Sequence, residues 1–262
     1  MSLIHELGEF DPPMIVLGGL VPEMLTRGQD PPAPLHLGTT DVDVLIDLQV
    51  PMDNDLFRLE EALVRLGFAP GENNSGWRWL GRVRGATVKI EFLCEDNEQP
   101  AQTTLRPPGC SRLGAANLRG VGFVREDCES QQIEGMLPDG REVTVKARFA
   151  GLQGYLLAKA TALRDRSLDK DYYDFTYVAA YNRLGGPVEA ARALRDGPFA
   201  GRLAGMRSMW LEIADRFAAP DRAGASGYAA QALSADSSGD IARLRRDAVD
   251  VVTAFISELG VQ

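Results

Sequence analysis

Residues 39–47 alternate between polar and apolar side chains, in the order Thr-Thr-Asp-Val-Asp-Val-Leu-Ile-Asp. A period of two predicts a β-strand, in which side chains two residues apart point to the same face. Asp41 and Asp43 are therefore predicted to lie side by side on one face, while the valines pack into a core on the other. Two carboxylates this close repel each other unless a cation lies between them. The pattern favours Mg²⁺, which proteins often hold with one or two carboxylates and substrate phosphates.

A glycine pair precedes this strand. The apolar run of residues 14–17 ends at Gly18 and Gly19, and residues 20–27 follow with Pro22 near their start. This order predicts a strand, a tight turn and a helix, because proline is tolerated in a first helical turn. Glycines at that position let backbone N–H groups approach a nucleotide phosphate closely. A turn that needs only a positive φ is the alternative interpretation.

A third carboxylate comes from a later strand. Residues 77–84 and 86–94 are predicted to form a β-hairpin joined at Gly85. In its second strand Glu91 shares a face with Lys89, while apolar residues take the other face. Glu91 is therefore a further candidate acid, and a solvated strand glutamate is the alternative.

Several other segments have clear patterns. Residues 53–67 are predicted to form an amphipathic helix, capped by Asp53 or Asn54 and ended by Gly67. A second hairpin is predicted from 130–137 to 142–147, because Asp-Gly between apolar runs is a strong turn signal. Residues 109–127 are glycine-rich, which indicates an irregular solvated loop or a lid over phosphates.

The second informative stretch is residues 154–177. An apolar face at three-to-four spacing predicts one helix, and Ser167 or Asp169 is expected to cap a second helix over about residues 170–183. Lys159 lies in an otherwise apolar turn, so its ammonium must reach solvent or an anion. Asp171 and Asp174 are three residues apart and share one helical face. An ordinary ion-pair cluster on a helical hairpin is the alternative.

The remainder is predicted to be helical, over residues 188–194, 202–217 and 240–259, with a mobile connection over 219–238. A length of 262 residues with 45% hydrophobic residues indicates an ordered protein of two lobes, 1–150 and 151–262. The net charge of −9 argues against broad adhesion to nucleic acid or anionic lipid.

Cellular location is inferred from what the sequence contains. Its three cysteines are scattered without CxxC spacing, which fits a reducing cytosol. The first residues lack the pattern of a signal peptide, and the chain has no apolar run as long as a membrane span. We expect a cytoplasmic monomer.

Taken together, Gly-Gly, then Asp-x-Asp on a strand, then an acidic residue on a later strand resembles the nucleotidyltransferase fold of the DNA polymerase β superfamily. The superfamily usually has aspartate where this chain has Glu91. A second motif resembles the C-terminal motif of AbiEii-type nucleotidyltransferases, the toxin halves of bacterial abortive-infection and related toxin–antitoxin systems. The residues that form it are Lys159, Ala162, Leu163, Arg166, Lys170, Asp171 and Asp174.

The resemblance implies an α/β lobe, with a mixed sheet flanked by helices, and a helical C-terminal lobe, with a nucleoside triphosphate bound between them. It implies that Asp41, Asp43 and Glu91 hold Mg²⁺, and that Asp171 or Asp174 is a further essential acid. The residues it implies for nucleotide binding are Gly18, Gly19, Thr40, Lys159, Arg166 and Lys170.

The implied reaction moves a nucleoside monophosphate from a triphosphate to an acceptor and releases pyrophosphate. A tRNA 3′ end is the favoured acceptor, and a protein hydroxyl is the other candidate. A separately encoded antitoxin is the expected partner. Two other functions compete with this one: a non-catalytic regulator that senses nucleotides, and a structural partner in a complex, which leaves the Asp41 and Asp43 pair unexplained.

Overall fold

The computed structural model describes residues 1–7, 10, 13–28, 32–39, 41–48, 55–71, 75–83, 85–137 and 139–261. The chain divides into two compact units. The first unit consists of Met1–Leu20 and Thr39–Gly151, and the second consists of Val21–Gly38 and Leu152–Gln262. Val21–Gly38 was expected in the first lobe but belongs to the second unit.

The described strands all belong to the first unit. They are β1 (Ile15–Leu17), β2 (Asp41–Leu45), β3 (Ala69–Pro70), β4 (Arg78–Val83), β5 (Ala86–Cys94), β6 (Thr104–Leu105), β7 (Ala115–Asn117), β8 (Cys128–Met136) and β9 (Glu142–Ala150). They form one sheet in the order β3-β4-β5-β2-β1-β9-β8, with β7 pairing to β5 and β6 to β7.

The sheet is mixed, as predicted. Strand β2 runs parallel to β5, and β1 runs parallel to β9. The pairs β1–β2, β4–β5 and β8–β9 are antiparallel. Both predicted hairpins are therefore confirmed. Burial alternates along β8 and β9 because one face of each strand packs against the interior.

The described helices are α1 (Ser2–Leu7), α2 (Val21–Leu25), α3 (Asp55–Arg65), α4 (Phe123–Glu126), α5 (Leu152–Asp165), α6 (Asp169–Tyr181), α7 (Pro187–Asp196), α8 (Ala200–Leu203), α9 (Arg207–Arg216), α10 (Ala223–Ala235) and α11 (Ile241–Leu259). Helices α1, α3 and α4 belong to the first unit, and the others belong to the second. The predicted mixed α/β fold with several C-terminal helices is confirmed. No helix in the described part of the chain combines the length and apolar character needed to cross a membrane.

Helix α3 covers one face of the sheet. Its leucines Leu56, Leu59 and Leu63 are buried in the same core as Ile90 and Phe92 of β5. The cap positions predicted for this helix, residues 53 and 54, lie outside the described residues. Because α3 occupies this face, polar side chains on the same strands must point to the opposite face.

The segment from 109 to 127 differs from its prediction. It contains β7 and α4, and Leu113, Ala115 and Val124 are fully buried. The buried carboxylate of Glu60 accepts hydrogen bonds from the backbone N–H groups of Arg112 and Leu113 at 2.7 and 2.6 Å. The expectation of an irregular solvated loop is wrong there, because a carboxylate from α3 fixes the backbone.

The second unit corrects two further predictions. Residues 219–238, predicted to be a mobile connection, contain α10, in which Ala225 and Ala229 are fully buried. Helix α6 begins after Leu168, and neither Ser167 nor Asp169 caps it, because the residue at the cap position is Leu168 without a side-chain hydrogen bond. The helix itself and the preceding α5 are confirmed.

Candidate functional site

The acidic strand β2 lies between β1 and β5. Its register with β5 pairs Asp41 with Lys89 and Asp43 with Glu91. Paired residues on neighbouring strands point to the same side of a sheet, so these four side chains share one face. The other face carries Val44, Ile90 and Phe92 into the core beneath α3. The three predicted carboxylates therefore lie on one face of the sheet. Alternation predicted the shared face of Asp41 and Asp43, and the pairing of β2 with β5 adds Glu91.

Two cations lie among these carboxylates. The ammonium Nζ of Lys89 is 2.8 Å from Asp41 Oδ2 and 3.2 Å from Glu91 Oε1. The guanidinium Nε of Arg78, on β4, donates to the same Glu91 oxygen at 2.8 Å. We call the set Asp41, Asp43, Arg78, Lys89 and Glu91 the sheet-face cluster.

The Lys89 ammonium is held in its charged form. Burial opposes the charged form, but the hydrogen bond to Asp41 and the charge of Glu91 outweigh it and raise the pKa of Lys89. Lys89 is therefore a fixed positive charge near neutral pH. The alternation of β5 predicted Lys89 beside Glu91. The bridge from Lys89 to Asp41 was not predicted, because it depends on the pairing of two strands.

The predicted glycine turn approaches Asp43 closely. Gly18 begins a 3₁₀ turn over Gly18–Leu20 and has a φ of +74°. A Cβ at this position would overlap the Oδ2 atom of Asp43. Gly18 is thus required both for its backbone conformation and for the room that the Asp43 carboxylate occupies. Gly19 is buried, and Thr40, a predicted nucleotide-binding residue, lies outside the described residues.

Mg²⁺ requires oxygen ligands, and the carboxylates of the sheet face are the candidate donors. In the described part of the chain, no three histidine, cysteine, aspartate or glutamate side chains are grouped so that they could hold a metal ion. Asp41 and Asp43 supply two neighbouring carboxylates, a set that fits one Mg²⁺ completed by phosphate oxygens. Glu91 Oε1 has Arg78 and Lys89 as partners, so it does not fit as a third ligand in this arrangement.

The predicted residues of the second unit form a separate cluster. The Lys159 ammonium, on α5, lies 3.0 Å from Asp171 Oδ1 and 2.7 Å from Asp174 Oδ2, both on α6. The aspartate side chains are 2% and 0% exposed. Burial of a charge is costly unless it is paired, so these three residues depend on one another. The ion pairs are buried, unlike an ordinary solvated cluster on a helical hairpin.

Two further side chains complete this cluster. Arg166 donates to Asp171 from Nε at 2.7 Å and from Nη2 at 3.1 Å. His36 Nε2 lies 3.0 Å from Asp174 Oδ1. We call Lys159, Arg166, Asp171, Asp174 and His36 the buried-charge cluster. Lys170, the remaining predicted residue of this motif, is half-buried at the start of α6.

The aspartates of the buried-charge cluster are ionised. Burial alone would raise the pKa of Asp174, but the charge of Lys159 and the hydrogen bonds from His36 and Lys159 lower it to about 2. The pKa of Asp171 is also lowered, since Lys159 and Arg166 outweigh its burial. The pKa of Lys159 is raised for the reciprocal reason, with Asp174 as the strongest partner opposing burial. The ammonium therefore balances two carboxylates inside the unit.

His36 belongs to this cluster but was not among the predicted site residues. It lies in a segment where the Tyr177 hydroxyl donates to the Pro34 carbonyl at 2.5 Å and Leu37 N–H donates to the Tyr173 hydroxyl at 3.2 Å. The His36 ring stacks on Tyr173 with centroids 4.9 Å apart. The sequence held one indication that His36 has a specific role, because it is one of only two histidines in the chain.

Cys94 and Cys110 are not reactive thiols. Burial raises the pKa of Cys94 to about 12 and that of Cys110 to about 11. A thiol with so high a pKa is protonated near neutral pH and is a poor nucleophile or metal ligand. Neither Cys94 nor Cys110 is therefore a candidate nucleophile or metal ligand near neutral pH.

The predicted site residues are divided between the units: Asp41, Asp43 and Glu91 lie in the first, and Lys159, Asp171 and Asp174 lie in the second. Comparison with models of protein families, with curated proteins and with solved structures finds no match to this chain. A functional assignment therefore depends on the sequence motifs and on the geometry of the two clusters.

Proposed function

We propose that this protein is a nucleotidyltransferase that transfers a nucleoside monophosphate from a triphosphate to an acceptor hydroxyl. The observation that carries the proposal is the strand register, which brings Asp41, Asp43 and Glu91 onto one sheet face. The close approach of Gly18 to Asp43 adds support. In this reaction the acceptor oxygen forms a bond to the α-phosphorus, the bond to the bridging oxygen breaks, and pyrophosphate leaves. The hydroxyl proton passes to a base.

Asp41 and Asp43 are the residues proposed to hold Mg²⁺ with the triphosphate. The ion, when bound, supplies positive charge to the phosphate oxygens. Arg78 and Lys89 lie on the same face and offer further positive charge toward phosphate oxygens. The carboxylates of this face are engaged by the ion, by Lys89 or by Arg78, so the hydroxyl proton is proposed to pass to solvent water.

The buried-charge cluster is proposed to support activity through the second unit. Lys159 is predicted to contact phosphate, and Asp171 or Asp174 is predicted to be essential. In the described arrangement the ammonium is engaged by both aspartates. We therefore propose that these residues fix α5 against α6, and that contact of Lys159 with phosphate requires exchange of one aspartate for a phosphate oxygen.

The acceptor is proposed to be a tRNA 3′ end, with a protein hydroxyl as the other candidate. The net charge of −9 disfavours a large RNA footprint, so a short single-stranded end is the more suitable RNA target. The role of a toxin, and an antitoxin as its partner, follow from the resemblance to AbiEii-type enzymes. Growth arrest on induced expression, relieved by Asp43→Asn, is the expected result in cells.

Label transfer tests the proposal directly. The protein is incubated with each α-labelled triphosphate, Mg²⁺ and either total tRNA or a protein extract. Wild type is compared with Asp41→Asn, Asp43→Asn and the control Asp139→Asn, which alters a carboxylate 53% exposed in the β8–β9 turn. We expect wild type and Asp139→Asn to label the same acceptor. In Asp41→Asn and Asp43→Asn the rate of label transfer should fall about 100-fold or more. Equal labelling by all four proteins would refute the assignment.

A second function, a non-catalytic regulator that binds nucleotides, is favoured by one observation. The Lys89 ammonium contacts Asp41 and Glu91, so it already offsets part of the negative charge that a metal ion would otherwise neutralise. A regulator binds triphosphate tightly and transfers no label to any acceptor. Equilibrium binding of a fluorescent triphosphate, measured beside the transfer assay, separates the two functions.

A further inference from the structure

The sheet face carries a charge conflict that its own residues resolve. Asp43 and Glu91 are register partners on neighbouring strands, so two carboxylates face each other across the β2–β5 pair. Like charges in this relation raise the energy of the folded sheet. Enzymes that use two divalent ions resolve such a conflict with metal. Here Lys89 and Arg78 offset the charge of Glu91 instead, and Lys89 also contacts Asp41.

We propose that the Lys89 ammonium takes the position of one of the two divalent cations of a two-metal transferase, so that this protein binds one divalent ion with its triphosphate. The inference rests on the proposed function for its catalytic meaning. Asp41 and Asp43 hold the single ion, and Asp41 then shares its carboxylate between the ion and Lys89. Glu91 serves as an anchor for Lys89 and Arg78 and not as a metal ligand.

The strand geometry makes this position of Lys89 a fixed one. Lys89 precedes Glu91 by two residues on β5, so both side chains leave the strand on the same face. Arg78 on β4 is the register partner of Glu91, so it also points to that face. The pairing of β4 with β5 therefore directs the side chains of both Lys89 and Arg78 toward Glu91.

The carboxylate of Glu91 is left with little capacity for a metal. Its Oε1 atom contacts both Lys89 and Arg78, and its side chain is only 15% exposed. A divalent ion there would have to displace the ammonium and lie within reach of a guanidinium. Repulsion between the ion and these two cations opposes that exchange.

Counting bound metal tests the inference. Mn²⁺ is titrated into protein with a non-hydrolysable triphosphate, and bound ion is measured by electron paramagnetic resonance and corrected for ion held by free nucleotide. The proteins are wild type, Lys89→Gln, Lys89→Arg and the control Lys146→Gln, which changes an exposed lysine on β9. We expect one ion in wild type, Lys89→Arg and Lys146→Gln, and two ions in Lys89→Gln.

A parallel titration without nucleotide separates this inference from the proposed function. Lys89→Gln is expected to bind Mn²⁺ at least tenfold more tightly than wild type. If no protein binds triphosphate but this gain appears, the proposed function fails and the role of Lys89 stands. Two ions in wild type, or an unchanged count and affinity in folded Lys89→Gln, would overturn the inference. Circular dichroism establishes that each variant is folded. If Lys89→Gln is not folded, the count in wild type decides, since one bound ion supports the inference and two overturn it.

Discussion

His36 Nε2 and Asp174 Oδ1 are 3.0 Å apart, although 138 residues separate them in the chain. The backbone N–H of Gly38 donates to His36 Nδ1 at 3.1 Å, so Nδ1 is an acceptor and the Nε2–H group donates a hydrogen bond to Asp174. Asp174 thus has two donors, His36 and Lys159. The bond fixes the segment containing His36 to α6 and helps keep the carboxylate charged.

Replacing His36 is expected to weaken the second unit. His36→Ala removes a donor to a fully buried carboxylate and the stacking on Tyr173, so we expect the free energy of unfolding to fall by about 1–3 kcal/mol. His36→Gln retains an N–H donor and should recover part of the loss. Urea denaturation measures both, with the exposed His5→Ala as control. Identical unfolding of His36→Ala and wild type would contradict the role assigned to this bond.

Lys159 is expected to contribute more to stability than any exposed lysine. Lys159→Met removes the positive charge between Asp171 and Asp174 and leaves their buried charge partly uncompensated. Breaking a buried ion pair in this way lowers the free energy of unfolding by about 3–5 kcal/mol. Urea denaturation at neutral pH provides the measurement.

A double variant distinguishes charge from packing at this position. Lys159→Met combined with Asp174→Asn removes one charge of each sign, so we expect it to be more stable than Lys159→Met alone. The control Lys146→Met should unfold like wild type, because Lys146 is exposed. If the double variant is no more stable than the single one, loss of charge balance is not the cause.

Acid stability is expected to depend on Asp174. Its pKa is about 2 in the folded protein against 3.8 for an ordinary aspartate. A lowered pKa contributes stability that is present above the ordinary value and is lost as pH falls through the folded value. The stabilisation, about 2 kcal/mol by linkage, should therefore disappear between about pH 4 and pH 2.

Denaturation at a series of acid pH values measures this loss. Asp174→Asn has no proton to bind, so its stability should fall less steeply over the same interval than that of wild type. Asp215→Asn, which changes a carboxylate 70% exposed on α9, should follow wild type. Parallel curves for wild type and Asp174→Asn would show that Asp174 does not carry the acid sensitivity.

Local periodicity was enough to predict much of the fold. The alternation around Asp41 and Asp43 predicted β2 and its polar face, and the Asp-Gly turn predicted the β8–β9 hairpin. The apolar spacing around Lys159 predicted α5. In each case the information lies within a few residues, because strand and helix periods repeat over that distance.

Features that depend on distant residues were not predicted. The segment that forms α10 is rich in Ala, Gly and Ser because it packs closely on α6. A Cβ at Gly227 would lie 2.7 Å from Asp169 Oδ1 and 2.8 Å from Tyr172 Cδ2, both on α6. Composition alone indicated a mobile connection. The bond between His36 and Asp174 and the bridge made by Lys89 were missed for the same reason, since both join residues that only the tertiary fold brings together.

Gly18 is expected to be harder to replace than a turn glycine that is needed only for its positive φ. Gly18→Ala combines a positive φ, which costs an alanine about 1–2 kcal/mol, with overlap between the new Cβ and the Asp43 carboxylate. Gly85→Ala is the matched control, because Gly85 has a φ of +83° and its added Cβ would meet nothing within 4 Å among the described residues. Thermal unfolding should therefore show a larger loss for Gly18→Ala than for Gly85→Ala. Mn²⁺ titration should show weakened binding only in Gly18→Ala, since the overlap moves Asp43. Equal losses in both measurements would mean that backbone conformation alone requires glycine at position 18.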